Sequence, residues 1–379
     1  MIPKNIVVIT GEASGDAHAG RMISELKKLR PEISVRGIGG ENMREAGAEI
    51  MVDFSELAVM GLVEVLKRYC HIKRIFNQLL AELKANKPDL LVLVDYPGFN
   101  LKLAKHAKKL GIPILYYISP KVWAWRAGRV KTIKRYVDHI AVLFPFEVSI
   151  YQVAGVPVTC VGHPLVDAVK HSLSTKQAKI KVGLKLNRRV IGLFPGSRRS
   201  EIDQLLPVML EAAERIQQRN SNVDVVLPIA PGIDEAYIKA ILAQSSVPVN
   251  VVKNNFYELT QACDAIVAAS GTVTLEIALL ATPHFIIYRV SPMSYRILSR
   301  LVKIPFVGLC NIVTGKNIVL ELLQDAVTAE RLDEELTHLL IDENSKTEAE
   351  TIRKQVLTAL GPSGGAHNAA LQIIAMLDN

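Results

Sequence analysis

The sequence lacks most features that mark secreted, membrane-spanning or metal-binding proteins. Its four cysteines are scattered without a CxxC spacing among 379 residues, which predicts buried thiols in a reducing cytosol. No window of about 18 residues is apolar and uncharged enough to span a bilayer, and no secretory signal pattern precedes the first strand. A DxD motif and a His/Cys cluster are also missing, so we expect neither a metal nor another cofactor.

The composition is that of a basic globular protein. Hydrophobic residues make up 49% and charged residues 22% of the chain, and a length of 379 residues favours two domains over one. The formal net charge is +8 and the pI is about 9.2, which favours anionic partners such as a nucleotide, a phosphate or an acidic membrane surface. Lys and Arg are dispersed without a nucleic-acid-binding motif, so we expect no nucleic acid partner.

The chain opens with a strand, a glycine-containing loop and a helix. Asn5–Thr10 is a continuous apolar run typical of a buried parallel strand, Gly11–Asp16 is rich in small residues, and residues 17–30 have helical spacing. The loop lacks the GxGxxG pattern of dinucleotide sites. Its glycines either form a tight turn only or leave room for a ligand, in which case Glu12 and Ser14 face that ligand.

The strongest strand pattern of the first half is Asp89–Asp95. Asp95 stands at its carboxyl end, where α/β proteins bind ligands, and partial burial there raises a carboxyl pKa toward the range of a general base. Asp95 is therefore the candidate base, and Asn100 is assigned to the same substrate. The alternative is that Asp95 only caps its loop. His163, after the last strand of this half, is interpreted as a structural loop histidine.

A dense apolar segment precedes that strand. Residues 54–69 carry apolar side chains too closely spaced for one amphipathic face, and basic residues stand at 67, 68, 73 and 74. A buried core helix and an exposed apolar patch are both compatible with this pattern. We predict the patch, which would dock on an anionic membrane. Its members are Val59, Met60, Leu62, Val63, Val65 and Leu66.

The second half repeats the order of strand, loop and helix, with anion-binding chemistry in the loop. Arg189–Phe194 predicts a strand, and a long helix follows the loop. Gly196 and Ser197 can offer backbone N–H groups and a hydroxyl. Arg198 can bind a diphosphate with its fixed fork of donors.

A second anion-binding turn is predicted in residues 266–280, between an apolar run and a helical pattern. Ser270, Gly271 and Thr272 lie between them, so unpaired N–H groups and the positive end of the helix dipole favour an anion. Glu276, about one turn later, would repel a phosphate and is interpreted as an acceptor for sugar hydroxyls. The alternative is a plain strand–turn–helix with a solvated glutamate.

Alternating strands and helices in both halves predict an α/β fold. We expect two Rossmann-like, doubly wound parallel-sheet domains facing a central cleft, the arrangement of nucleotide-sugar transferases. Residues 1–165 would form the acceptor and membrane-facing domain, and residues 166–345 would bind the UDP-sugar donor. Within the second domain, residues 320–340 are predicted to form one helix.

Several short motifs, in their order and spacing, resemble the lipid-A-disaccharide synthase family over essentially the whole chain. Each motif is weak alone, and the combination is specific. They are Thr10–Asp16, Glu56–Gly61 with Val63–Leu66, Asp95 with Pro97 and Phe99–Asn100, Ser119–Pro120 with Val122–Arg126, Leu193 with Pro195–Arg198, Ala269–Thr272 with Leu275–Glu276, and Tyr288–Arg289.

This resemblance implies a GT-B fold and an inverting β-1,6 transfer from UDP-2,3-diacylglucosamine to 2,3-diacylglucosamine 1-phosphate. The products would be a tetraacylated disaccharide 1-phosphate and UDP. It also implies a cytoplasmic protein bound peripherally to the inner membrane through an apolar patch at about 57–66. C-terminal helices at 346–379 would return to the first domain. A homodimer formed by exchange of C-terminal parts is compatible with the resemblance.

The resemblance also assigns roles to single residues. The family's catalytic aspartate falls on Asp95, its diphosphate-binding arginine on Arg198, and its donor-site asparagine on Asn311. The family often has a second acidic residue where Gly98 stands here. The base role therefore does not require that second carboxylate, and the difference bears on how the acceptor is positioned.

Two other functions remain open at this point. A UDP-sugar 2-epimerase on the same architecture would need only a soluble sugar nucleotide, and the dense apolar segment argues against it. A non-catalytic, peripheral lipid-binding protein would use that segment. It would have no need of a carboxylate and a separate diphosphate-binding loop.

Overall fold

A computed structural model describes residues 4–57, 62–123, 128–169, 171–230, 232–290 and 305–378, with the backbone alone for 62–69. The chain divides into two compact units. Unit 1 comprises Met1–Asp167 and Leu360–Asn379, and unit 2 comprises Ala168–Ala359. Each unit is built on one parallel β-sheet.

Unit 1 contains a seven-stranded sheet in the order β3-β2-β1-β4-β5-β6-β7, with all neighbours parallel. Its strands are β1 (Asn5–Ile9), β2 (Ser34–Gly39), β3 (Glu49–Asp53), β4 (Leu90–Val94), β5 (Ile114–Tyr117), β6 (His139–Val142) and β7 (Val158–Cys160). Its helices up to the unit boundary are α1 (Ala13–Leu29), α2 (Glu41–Glu45), α3 (Leu62–Ala85), α4 (Pro97–Lys109), α5 (Arg129–Tyr136), α6 (Pro145–Val153) and α7 (Leu165–Ala168).

Unit 2 contains a six-stranded parallel sheet in the order β10-β9-β8-β11-β12-β13. Its elements in chain order are α8 (Thr175–Lys181), β8 (Arg189–Phe194), α9 (Arg199–Arg219), β9 (Val223–Pro228), α10 (Glu235–Leu242), β10 (Val249–Val252), α11 (Phe256–Ala262), β11 (Ala265–Ala269), α12 (Val273–Leu279), β12 (His284–Tyr288), α13 (Leu309–Thr314), β13 (Glu321–Leu323), α14 (Ala329–Ile341) and α15 (Ser345–Leu360). The α/β class with two doubly wound sheets is thereby confirmed.

The central strands are apolar along their whole length because helices cover both faces of each sheet. Every residue of β4 and of β11 is buried. Strand order reverses between β1 and β4 in unit 1 and between β8 and β11 in unit 2. Such reversal points open a crevice at the carboxyl ends of the strands, and ligands of doubly wound folds bind there.

The last helix, α16 (Gly365–Asp378), packs within unit 1. Asn368 Nδ2 donates to the carbonyl oxygen of Val161 at 2.9 Å, and Asp167 accepts from the Gly364 N–H at 2.9 Å. Residues 346–359, expected to return to the first domain, instead belong to unit 2. There Arg353 Nε donates to the carbonyl oxygen of Leu279 at 3.0 Å.

The single helix predicted over residues 320–340 is wrong. Glu321–Leu323 extends the sheet beside β12, Gln324 has φ +51° at the start of a 3₁₀ turn, and α14 begins only at Ala329. The free edge of β12 offers backbone partners to this segment, and that tertiary pairing overrides its helical pattern.

The expected membrane patch largely lies outside the described residues. Val59 and Met60 fall in the gap at 58–61, and the side chains of Leu62, Val63, Val65 and Leu66 belong to the stretch with backbone only. Within the described ranges, no helix combines the length and the apolar character that crossing a bilayer requires.

Candidate active site

Asp95 begins a strained turn immediately after β4. Its φ is +46° and that of Tyr96 is +43°, so two consecutive non-glycine residues adopt the left-handed conformation, at a cost of about 1 kcal/mol or more each. The Asp95 N–H donates to the carbonyl oxygen of Tyr117 at 3.0 Å, and the Asp95 carbonyl accepts from the hydroxyl of Tyr116 at 2.5 Å. These two hydrogen bonds fix the backbone in its strained conformation. Backbone strain of this kind is common at functional sites.

Asn100 is buried beneath that turn with no exposed surface. Its Nδ2 donates to the carbonyl oxygens of Asp95, at 2.8 Å, and Val94, at 3.2 Å. These bonds give Asn100 a structural role, and its assignment to substrate contact stays a prediction. Its side chain faces the protein interior and helps to hold the Asp95 turn in place.

The ring of Tyr96 packs directly on Gly11, the first residue of the loop after β1. A Cβ atom on Gly11 would lie 2.2 Å from the Tyr96 ring, which leaves no space for any side chain. The Tyr96 hydroxyl also donates to the carbonyl oxygen of Leu57 at 3.0 Å. Gly11 is thus required for close packing against the turn that carries Asp95.

Burial raises the pKa of Asp95 to about 6, and the negative charge of Glu12 adds to this rise. The positive charges of Lys121 and Arg129 and the N–H of Tyr96 act in the opposite direction. A half-buried carboxyl with a pKa near 6 is mostly ionised at neutral pH and is a stronger base than an ordinary aspartate.

The loop after β1 contributes to this end of the sheet. Glu12 and Ser14 are exposed, in keeping with a position open to ligand, and the charge of Glu12 reaches Asp95. Asp16 is buried, and its carboxylate accepts from the N–H groups of Gly40, at 2.6 Å, and Asn42, at 3.0 Å. Asp16 therefore anchors the start of α2.

Glu147 is a buried acid of unit 1 that the sequence reasoning did not identify. Burial raises its pKa to about 7, while the Phe144 N–H, the Ser119 hydroxyl and the indole of Trp123 oppose this rise. Its carboxylate accepts from the Phe144 N–H at 3.3 Å, at the start of α6. An acid in the sequence Pro-Phe-Glu resembles an ordinary capping residue, so no local signal indicated its burial.

His163 packs as a core histidine. Its ring stacks on Phe144 with centroids 5.0 Å apart, and Nδ1 accepts from the Leu165 N–H at 3.2 Å. Burial lowers its pKa to about 4, with a contribution from nearby His18, so the ring is neutral at pH 7.

In unit 2, the loop after β8 holds a carboxylate of its own. Gly196 has φ +107°, and the Ser197 N–H donates to Oε2 of Glu201 at 3.3 Å. Arg198 Nη1 donates to Oε1 of the same glutamate at 2.9 Å, and 78% of the Arg198 side chain is exposed. The Ser197 N–H and the Arg198 guanidinium, both expected to bind an anion, therefore point to the same carboxylate, that of Glu201.

Ser270 uses both of its donors within the fold, in the turn after β11. Its N–H donates to the carbonyl oxygen of Ile287 at 3.0 Å, and its hydroxyl donates to that of Val307 at 2.7 Å. Both of its donors therefore serve the fold, and its assignment to anion binding stays a prediction. Gly271 and Thr272 are exposed, and a Cβ on Gly271 would meet open space.

Glu276 follows in α12 and is half-buried. The hydroxyl of Tyr257 donates to its Oε1 at 3.2 Å, and burial raises its pKa. One oxygen is thus oriented by Tyr257, an arrangement suited to a second hydrogen bond from a sugar hydroxyl.

Asn311 is fully buried in α13, and its side-chain amide is saturated. Nδ2 donates to the carbonyl oxygen of Val319 at 2.7 Å and to Oε1 of Glu321 at 2.8 Å, while Oδ1 accepts from the N–H groups of Ile318 and Val319. The amide thus has a structural role, and the assignment of Asn311 to direct donor contact stays a prediction. Asn311 also supports the segment around Val307 through Glu321, whose other oxygen, Oε2, accepts from the Val307 N–H at 2.9 Å. The carbonyl of Val307 is in turn the acceptor for the Ser270 hydroxyl.

The four predicted loops fall at the reversal points of their sheets. Those after β1 and β4 share one such point in unit 1, and those after β8 and β11 share one in unit 2. No group of three or more His, Cys, Asp or Glu side chains among the described residues is arranged to hold a metal ion.

Solved structures with two such units identify the class of fold. The UDP-GlcNAc 2-epimerase of Neisseria meningitidis, bound to UDP-GlcNAc, aligns with a TM-score of 0.62 at 15% identity and covers 99% of this chain and 100% of its own. A calicheamicin glycosyltransferase aligns with a TM-score of 0.61 at 13% identity, covering 100% and 99%. The protein therefore has the GT-B fold.

Sequence comparison identifies the family within that class. The family model for lipid-A-disaccharide synthetase matches residues 6–374. The lipid-A-disaccharide synthase of Geobacter metallireducens is 48% identical over 376 residues, which are 99% of this chain and 97% of that relative. The chain belongs to the lipid-A-disaccharide synthase family, whose members are glycosyltransferases of lipid A biosynthesis, and the resemblance inferred from its motifs is confirmed.

Proposed function

We propose that the protein transfers a 2,3-diacylglucosamine unit from its UDP derivative to the 6-hydroxyl of 2,3-diacylglucosamine 1-phosphate. The transfer is inverting and forms a β-1,6 bond. The products are the tetraacylated disaccharide 1-phosphate and UDP. Membership of the family supports the lipid A substrates.

The observation that carries the mechanism is the state of Asp95. A half-buried carboxyl with a pKa of about 6, at the reversal point of a parallel sheet, is placed and tuned for proton removal. Asp95 takes the proton from the acceptor 6-hydroxyl while that oxygen forms a bond to the anomeric carbon. The bond from that carbon to the diphosphate oxygen breaks, and its electron pair leaves with UDP.

The leaving diphosphate is bound by groups of unit 2. Arg198, the Ser197 N–H and the loop at Gly196 supply fixed positive or hydrogen-bond-donating groups, and Gly271–Thr272 at the start of α12 supply more. Glu276, oriented by Tyr257, accepts from hydroxyls of the donor's sugar or ribose. Fixed donors that meet the charge as it develops on UDP lower the barrier to its departure.

Acylated substrates require access to a lipid surface. We place the protein at the cytoplasmic face of the inner membrane as a peripheral enzyme, with residues 57–66 as the contacting segment. The net charge of +8 favours an anionic membrane surface. A homodimer is compatible with this placement.

The test is UDP release by the full-length protein in detergent, with UDP-2,3-diacylglucosamine and a metal chelator present. Acceptor-dependent release, together with a new disaccharide, would support the proposal. Release without acceptor would indicate hydrolysis or epimerase-like chemistry. Binding of the lipids without release would indicate a lipid-binding protein, and either of these results would overturn the proposed transfer.

A further inference from the structure

Glu201 spans the loop that is proposed to bind the donor diphosphate. Its Oε2 accepts from the Ser197 N–H at 3.3 Å, and its Oε1 accepts from Arg198 Nη1 at 2.9 Å. A carboxylate and a phosphate group present similar oxygen acceptors to such donors. The loop therefore already holds an anion that belongs to the chain itself.

The loop is shaped around this carboxylate. A Cβ atom on Gly196 would lie 2.5 Å from Glu201 Oε2, and the φ of Gly196 is +107°, a conformation that disfavours other residues. Glycine is therefore needed for the backbone turn, and its missing side chain leaves the space that the Glu201 carboxylate occupies.

Helix capping explains only part of this arrangement. Glu201 is the third residue of α9, where an acidic side chain commonly reaches back to a free N–H and favours the positive helix end. Capping accounts for the contact to Ser197. It does not require the guanidinium of Arg198, the group expected to bind the diphosphate.

The Glu201–Arg198 pair is placed so that it can open. The Arg198 side chain is 78% exposed and that of Glu201 is 22% exposed, and exposed ion pairs are weak. Both charges also act on the phenol of Tyr288 at the end of β12. Burial raises the pKa of Tyr288, the charge of Glu201 adds to this rise, and the charge of Arg198 opposes it. A diphosphate has more charge than one carboxylate, so it can compete for Arg198.

We propose that Glu201 is a positioning residue that acts as an internal substitute for the diphosphate. It holds Ser197 and Arg198 in place in the ligand-free protein and is displaced when the donor binds. Its negative charge then weakens the hold on UDP and favours release of that product. This inference rests on the proposed function, because it assumes that the diphosphate binds at Arg198.

The test variant is Glu201→Gln, which keeps an acceptor for the Ser197 N–H and removes the charge. We expect the Kd for UDP to fall about 10-fold, because a like charge close to the diphosphate is lost. The inhibition constant of UDP as product should fall by the same factor. If Glu201 were only a helix cap, the variant would melt at a lower temperature and bind UDP as before.

The matched control is Glu211→Gln on the same helix, which removes an equal charge from a pair with Arg215. UDP binding is measured by calorimetry on the full-length protein in detergent for both variants and for Arg198→Ala. Tighter binding only by Glu201→Gln, with weaker binding by Arg198→Ala, supports the inference. Weaker binding by Arg198→Ala without a gain in Glu201→Gln overturns it and leaves the proposed function intact. Unchanged UDP affinity in Arg198→Ala overturns both this inference and the proposed binding of the diphosphate at Arg198.

Discussion

The carboxyl end of β4 in unit 1 and that of β8 in unit 2 are built on opposite principles. At the first, Asp95 is half-buried in a strained turn fixed by Tyr116, and its pKa is raised by burial. At the second, Arg198 is exposed and pairs with Glu201 from its own helix. A proton acceptor needs a fixed position and partial removal from water. A group that binds a diphosphate needs positive charge and must be accessible to the ligand, so its exposure to solvent is compatible with that role.

The largest expected effect concerns the carboxyl end of β4, the fixed end, where the turn holds Asp95 in place. Asp95→Asn keeps the shape of the turn and removes the base, so kcat should fall by about 10²–10⁴-fold. In the unaltered protein, kcat/KM should rise with pH through about 6, as Asp95 loses its proton, and this limb should be missing in the variant. Initial rates across pH 5–8 (a range of about three units around that pKa) measure both quantities.

A charge near Asp95 provides the control. Glu12→Gln removes one cause of the raised pKa, so the same limb should move to lower pH while turnover persists. Near-normal turnover by Asp95→Asn would contradict the assignment of the base.

At the exposed end, Arg198→Ala should act mainly through charge. We expect kcat/KM to fall by about 10²–10³-fold and UDP affinity by about 10-fold or more, because charge-assisted hydrogen bonds to the diphosphate are lost. The pH limb set by Asp95 should stay in place. A shift of that limb in Arg198→Ala would show that the two ends do not act separately.

The rigidity of the fixed end can be tested at Gly11. Gly11→Ala forces the Tyr96 ring away, so we expect a loss of about 1–3 kcal/mol in the free energy of unfolding and a fall of about 10-fold in kcat. Gly98→Ala is the matched control in the same region, because a Cβ there has nothing within 4 Å. Equal effects of the two variants would remove the role assigned to the Gly11–Tyr96 contact.

The last expected effect is on stability alone. The folded pKa of Asp95, about 6, lies above its unfolded value of about 4, so the unfolded chain loses this proton first. Ionisation of Asp95 therefore lowers the free energy of unfolding as the pH rises from about 4 to about 6. Asp95→Asn should be more stable than the unaltered protein by about 1–3 kcal/mol above pH 6 and nearly equal to it at pH 4. Urea unfolding at both pH values tests this, and an equal difference at both would contradict the raised pKa.

Local patterns predicted the elements near the site but not the hydrogen-bond partners of several individual side chains. The strands before Asp95 and before Gly196 follow from short continuous apolar runs, a pattern typical of parallel strands that are covered on both faces. Asn100 and Asn311 are polar residues beside functional motifs, which suggests ligand contact. In the structure their amides donate to backbone carbonyl groups of buried turns, at sequence separations of 5 and 8 residues, and the burial that makes such bonds necessary is not visible in local spacing.

Ser270 shows the same limit at a single turn. A small hydroxyl residue between a strand and a helix predicts free donors, but its N–H continues the ladder to β12 and its hydroxyl reaches Val307. Glu201 was unassigned for a related reason, since a glutamate three residues into a helix indicates capping only. Its second contact, to Arg198, depends on the side-chain geometry of the folded loop.

The sequence by itself determined the α/β class, the two sheets and the family, because apolar periodicity and motif order are properties of the chain alone. The tertiary structure alone decided which polar groups are available to a ligand. Strand pairing, burial and the approach of distant residues assign each donor and acceptor a partner, and they also set the pKa of Asp95. Those quantities depend on distances between residues that are far apart in sequence, and local spacing does not contain them.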